Sequence, residues 1–302
     1  PMSVAASGYL RIEASDVDAW MDFGTQVLGL MDAAREDTEG ARFLRMDDHP
    51  FRFMIEPGPG DRLLAAGLEF ANQGTWQATC DALAAAGHTV TPGSPEEARR
   101  RCVGAYSTVQ DPSGNVLELY YGRELDYVPL NSGAGVPGFV TSFQQTGDLG
   151  FGHFVLPAPE SDATIAFYTD LIGTGITDTL YPPGMEGIKI TFMHANNPRQ
   201  HSLALFNGPH PAGVVHIMLE VETMDEVGRC MDRAKAAGSH FLATLGRHVN
   251  DNMCSVYILA PGGIAVEFGY DGLLIDPESH VATVSREGDL WGHEYNFPGV
   301  NE

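Results

Sequence analysis

The stretch Gly152–Gly175, GHFVLPAPESDATIAFYTDLIGTG, decides the reading of this chain because its plan is written twice. It opens as an apolar strand and passes through a polar step at Ser161-Asp162 that suits a helix start. An amphipathic helix follows and stops on glycine. Gly8–Leu30, GYLRIEASDVDAWMDFGTQVLGL, repeats that plan with Ser15-Asp16 at the capping step. A second pair follows, LEFANQGTWQATCDALAAAGHTV from Leu68 and LEVETMDEVGRCMDRAKAAGSHF from Leu219, each a strand and then a helix closing on Ala-Ala-Gly. A third pair is DPSGNVLELYYG from Asp111 and APGGIAVEFGYDG from Ala260, a tight turn feeding an alternating strand. Between these landmarks lie strand-like segments: ARFLRMDD, FRFMIEP, IKITFMH and HSLALFN.

Strand, helix and three further strands thus recur four times. This predicts an α+β fold of tandem βαβββ modules, two per domain, each pair joining in one U-shaped mixed sheet. The predicted domains are 1–130 and 148–302. Segment 131–147, which contains Asn131-Ser132-Gly133 and Val136-Pro137-Gly138, is the expected linker.

The differences between the copies point to function. Nine of the 11 histidines lie in the second half. Matching the segments sets Tyr9 opposite His153, Ala65 opposite His216 and Glu118 opposite Glu267. One copy therefore carries His, His and Glu on three strands where the other keeps only Glu. Two neutral imidazoles and one carboxylate suit a divalent metal such as Fe(II) and leave coordination positions open. Any one of these histidines, taken alone, reads as a hydrogen-bonded core or surface residue. Glu267 stands among Ile264, Val266 and Phe268, where a carboxylate is rare unless paired or metal-bound. Glu118 occupies the matching place without obvious partners.

The remaining composition limits the alternatives. A net charge of −23 over 302 residues speaks against nucleic acid and anionic membrane surfaces. Apolar runs fall short of spanning length, so no membrane segment is expected. The opening PMSVAASGYL lacks a signal-peptide layout, and Cys80, Cys102, Cys230 and Cys254 are scattered. A cytoplasmic protein with free thiols is expected.

Several short motifs run in order through the second half: Gly152-His153, Asn197-Pro-Arg-Gln-His-Ser202, His216-Ile-Met-Leu-Glu-Val, Gly246-Arg-His-Val-Asn-Asp-Asn-Met253, Tyr257, Pro261-Gly-Gly with Glu267, and Leu290-Trp-Gly-His293. In this order and spacing the chain resembles the type I extradiol dioxygenases of the vicinal oxygen chelate superfamily, the group acting on 2,3-dihydroxybiphenyl and its relatives. The resemblance implies that His153, His216 and Glu267 hold Fe(II), with Mn(II) the less favoured metal, and that O2 is co-substrate. It implies an acid–base role for His201 and hydrogen bonds from His248 and Tyr257 to substrate and oxygen. It also implies support from Asp251 and a pocket place for Asn250. Val155 and Met193 are expected at the pocket wall, where a flexible Met would accommodate a second ring. The implied substrate is a bicyclic catechol such as 2,3-dihydroxybiphenyl or 2,2',3-trihydroxybiphenyl, with single-ring catechols the alternative, and the implied assembly is a homo-oligomer. His194 reads as a non-ligand, and His210, His240, His280 and His293 lack partners at metal-site spacing. A glyoxalase-like isomerase or thiol transferase, using its metal as a Lewis acid, is the competing expectation. A metal-free binding protein of the same fold is another, since this scaffold hosts several functions.

Overall fold

The structure is a computed structural model that describes residues 4–143 and 147–298. Its first half contains β1 (Val4–Ala14), α1 (Val17–Asp22), β2 (Met31–Asp32), β3 (Arg42–Arg45) and β4 (Phe53–Pro57). It continues with β5 (Arg62–Phe70), α2 (Gln73–Ala85), β6 (Thr91–Pro92), α3 (Pro95–Arg100), β7 (Ala105–Gln110) and β8 (Val116–Tyr121). The second half has β9 (Gly152–Pro157), α4 (Ser161–Ala166), β10 (Gly175–Leu180), β11 (Ile190–His194) and β12 (Leu203–Phe206). There follow β13 (His216–Glu220), α5 (Met224–Ala236), β14 (Phe241–His248), β15 (Cys254–Leu259) and β16 (Ala265–Tyr270), and then β17 (Thr283–Ser285) and β18 (Asp289–Gly292).

The four expected modules are therefore present, and each pair shares one sheet. The first sheet runs β2-β3-β4-β1-β5-β8-β7-β6; the second repeats this order as β10-β11-β12-β9-β13-β16-β15-β14. Two tail strands that sequence periodicity did not announce, β17 and β18, extend its edges. Helix α3 is likewise an addition, started by Ser94 and Pro95.

Local chemistry explains the helices. Thr223 caps α5 by accepting from the Glu226 amide, acids fill its first turn and Arg233 and Lys235 its last, as the helix dipole favours. Its buried stripe, Val227, Cys230 and Ala234, packs on β15 and β16. Asp16 caps α1 as expected. The matching step in the second half differs: Glu160 precedes α4 without a side-chain cap. α1 and α4 both loosen into π turns, 23–27 and 167–172, before their glycine stops. The two halves interlock here, with α2 against the second π turn and α5 against the first, and one apolar core runs through both. Segment 131–147 forms no strand among its described residues, but it is not a free tether: Val136 and Phe139 are buried in that core. No helix among the described residues is long and apolar enough to cross a membrane.

Candidate active site

The strand registers place the site. On β9, β13 and β16, His153, Met218 and Glu267 form one cross-strand row, with Tyr257 of β15 next to Glu267. The row one step along contains Phe192, Ala204, Val155, His216 and Ala265 on the same face, two residues away on each strand. His153 Nε2 and His216 Nε2 stand 3.1 Å apart, and Glu267 Oε2 lies 3.2 and 3.3 Å from them. Gly152 permits this closeness. Its φ of 147° and its contact with the Met218 carbonyl leave no room for a Cβ where β9 meets β13.

This triangle fits a metal. Ligand atoms at right angles, each about 2.1 Å from one ion, sit about 3 Å apart, as on one face of an octahedron. Burial, only partly opposed by Glu267, lowers His153 to about 4, so its imidazole is neutral and a competent ligand. Burial opposes the charge on Glu267, but hydrogen bonds from His153, His216 and His248 hold its carboxyl well below the usual range. The carboxylate divides its work: Oε2 faces the imidazoles, while Oε1 accepts a 2.6 Å bond from the Ser255 hydroxyl.

The first half supplies the contrast. Its corresponding row holds Tyr9, Gly67 and Glu118, as matched from the sequence. Glu118 is not without partners: Arg101 meets both its oxygens at 2.7 and 2.8 Å, Arg11 donates at 2.7 Å and the Tyr9 hydroxyl at 2.6 Å. Two guanidinium groups thus neutralise the carboxylate where the second half presents imidazoles.

Around the triangle lies a cavity of about 560 Å³, and His153, His201, His216, His248, Tyr257 and Glu267 are among its lining residues. Val155, Leu180, Ile190 and Phe192 form part of its apolar wall. His201 stacks on His153 with ring centres 4.0 Å apart and gives its Nδ1 proton to Gln200 Oε1 at 2.6 Å. That leaves Nε2 as the acceptor, buried and without a hydrogen-bond partner among the described residues. Burial, then the neighbouring His153, lowers the His201 pKa well below its ordinary value. His248 Nε2 meets the Tyr257 hydroxyl at 2.8 Å. Burial opposes the charged form of His248, but hydrogen bonds to Asp289 and Glu267 outweigh it and raise the pKa. Asp251, pushed by burial up to about 6, and Asn250 also line the cavity; Asp251 Oδ2 is 3.8 Å from His201 Nδ1.

Met193 requires correction. It belongs to the row Met193, Leu203, Phe154, Ile217, Val266, which faces the opposite way into the core, and it is fully buried there. Strand alternation gives the wall position to Phe192, its neighbour. Met185, from the loop before β11, is the methionine at the cavity. His194 donates its Nδ1 proton to the Ala195 carbonyl. His293 proves to have partners, Asp289 and Ser255, and these bring it beside the site. Gln200, Ser255 and Asp289 were missed altogether. Only Gln200, adjacent to His201, carried a sequence signal.

Residues 150–268 match the Glyoxalase/Bleomycin resistance protein/Dioxygenase superfamily. Residues 8–58 match the first domain of the dihydroxybiphenyl dioxygenase BphC. That superfamily is the class that the paired modules and His-His-Glu triangle define. The chain is 41% identical to an iron-dependent extradiol dioxygenase of Rhodococcus jostii (strain RHA1), with 98% of each covered. It is 39% identical to the biphenyl-2,3-diol 1,2-dioxygenase of Paraburkholderia xenovorans (strain LB400), covering 97% of this chain and 96% of that one. The crystal structure of BphC, a halotolerant catechol dioxygenase, superposes with a TM-score of 0.90 at 31% identity over 98% of this chain and 96% of that one. Within the superfamily, the chain belongs to the extradiol dioxygenases.

Proposed function

We propose that this protein opens the ring of a catechol beside its hydroxyl pair with O2, and that its substrate is bicyclic, of the 2,3-dihydroxybiphenyl or 2,2',3-trihydroxybiphenyl kind. One observation carries the reading: the His153–His216–Glu267 triangle lines a largely apolar cavity together with three proton-handling side chains. These three residues would hold Fe(II), which supplies, when bound, a place for the diol and O2 to meet and a path for ring electrons to reach oxygen. The cavity, about 560 Å³, is in the range that encloses a molecule larger than one ring. Val155 and Phe192 present apolar surface to the second ring and exclude water.

His201 Nε2 takes a proton from the substrate and returns it as the ring opens; burial keeps this imidazole neutral and ready to accept. Tyr257 and His248 hold substrate oxygen by hydrogen bonds, and burial with the nearby Glu267 charge keeps the phenol protonated as a donor. Asp251 supports His201 from behind. We also place the enzyme in the cytoplasm, where its buried free thiols persist, as a homo-oligomer of chains that each carry two tandem-module domains, 1–130 and 148–302.

The test is anaerobic reconstitution with Fe(II), then addition of 2,3-dihydroxybiphenyl and air. Oxygen uptake with a yellow product, both lost in His216→Ala, is the expected result. Metal binding without oxygen uptake across mono- and bicyclic catechols would overturn it and favour a Lewis-acid isomerase.

A further inference from the structure

The second sheet ends in a strand, β18, for which the first sheet has no counterpart among the described residues. It pairs with β14 so that Asp289 stands directly across from His248. Asp289 Oδ1 receives two imidazoles, His248 Nδ1 at 2.7 Å and His293 Nδ1 at 2.6 Å. The His248 and His293 rings lie 4.3 Å apart. His293 Nε2 then reaches Ser255, 3.0 Å from its carbonyl and 3.2 Å from its hydroxyl. Ser255 in turn donates to Glu267 Oε1, and His248 Nε2 lies 3.3 Å from that same oxygen. Glu267, His248, Asp289, His293 and Ser255 therefore close a ring on the side of the carboxylate that faces away from His153 and His216.

The backbone is shaped to make this ring. A Cβ on Gly292, whose φ is 74°, would lie 2.1 Å from the Leu245 carbonyl oxygen. His293 itself adopts φ of 50°, an uncommon conformation for a residue with a side chain. Both turn His293 inward, buried, while its strand neighbours Leu290 and Trp291 stay exposed. Asp289 Oδ1 thus joins the two imidazoles in one hydrogen-bond node.

We propose that Asp289 is a positioning residue for ring cleavage: it accepts the Nδ1 proton of His248, so aims Nε2 at Tyr257 and the substrate, and through His293 and Ser255 holds Glu267 with Oε2 toward the metal. A carboxylate that accepts the Nδ1 proton of a working imidazole, and so sets the orientation of its ring, is a general device. The inference rests on the extradiol reading of the site for its kinetic consequence only.

Two measurements test it. In the metal-free protein, nitrogen-15 correlation spectra should show His248 protonated at Nδ1; a bare Nδ1 would overturn the proposal whatever the activity. In the Fe(II)-loaded enzyme, Asp289→Ala should lower kcat about 10- to 100-fold while KM stays within about threefold. Asp289→Asn, which keeps an acceptor oxygen, should recover most of the loss. An unchanged kcat in Asp289→Ala, or a loss confined to KM, would refute the role. If the alanine variant does not fold, the spectrum of the native chain decides alone. A chain with His248 protonated at Nδ1 but no ring cleavage would retain the positioning and lose the proposed function.

Discussion

Replacing Gly152 by alanine tests how tightly the strands hold the site. The new Cβ would stand 1.9 Å from the Met218 carbonyl oxygen, and real Cβ contacts essentially never fall below 3.0 Å, so β9 and β13 must part by about 1 Å. The obstacle is backbone, not a movable side-chain tip. Met218 is also the residue in register with both His153 and Glu267, so displacement there pulls the triangle apart directly. The φ of 147° adds strain for any L side chain. Together these cost about 3 kcal/mol, within the range for strain at a special backbone position. For a chain of this size that lowers the unfolding midpoint by about 5 °C. A misplacement of about 1 Å at the reacting groups costs about 100-fold in rate. Calorimetry, an anaerobic metal titration and oxygen-uptake kinetics measure the three effects. An alanine variant with native melting and native metal affinity would refute the claim that this close approach builds the site.

Other expectations follow from the same geometry. His201→Asn should keep metal binding and lower kcat by about 10²- to 10⁴-fold, as loss of a general base does; loss of metal instead would make His201 a ligand. Gly228→Ala, in α5 with nothing within 4 Å of the added Cβ, should stabilise the fold by about 1 kcal/mol in thermal denaturation. In the metal-free protein, acid should destabilise the fold between pH 6.5 and about 4, because the unfolded chain protonates His153 first. That depression of pKa is worth about 3 kcal/mol, and a flat urea-denaturation profile across this window would contradict it. His49 acts in the opposite direction. Burial and Arg52 oppose its charge, but Asp47 and Asp48 raise it to about 10, so its contribution is present below pH 6.5 and fades as pH rises toward 10.

Duplication made much of this legible from sequence. Comparing copies isolated His153, His216 and Glu267, because the strand register that pairs Tyr9 with Gly67 also pairs His153 with Met218. What failed is also physical. Met193 and Phe192 are adjacent, and only the register with β12 tells which faces the cavity. Asp289 lies 41 positions beyond His248, and a single pairing of two short strands brings them together. Glu118 seemed unpartnered because Arg101 reaches it from the turn after α3, a helix with no counterpart in the second half.

The most direct test of the central claim is the fate of dioxygen. The Fe(II)-loaded protein would be mixed with 2,3-dihydroxybiphenyl and oxygen-18 gas, quenched rapidly, and the product weighed by mass spectrometry. The expected result is a ring-opened product in which both added oxygen atoms carry the label. Substrate consumed without incorporation of the label, or an intact ring beside a bound metal, would contradict it.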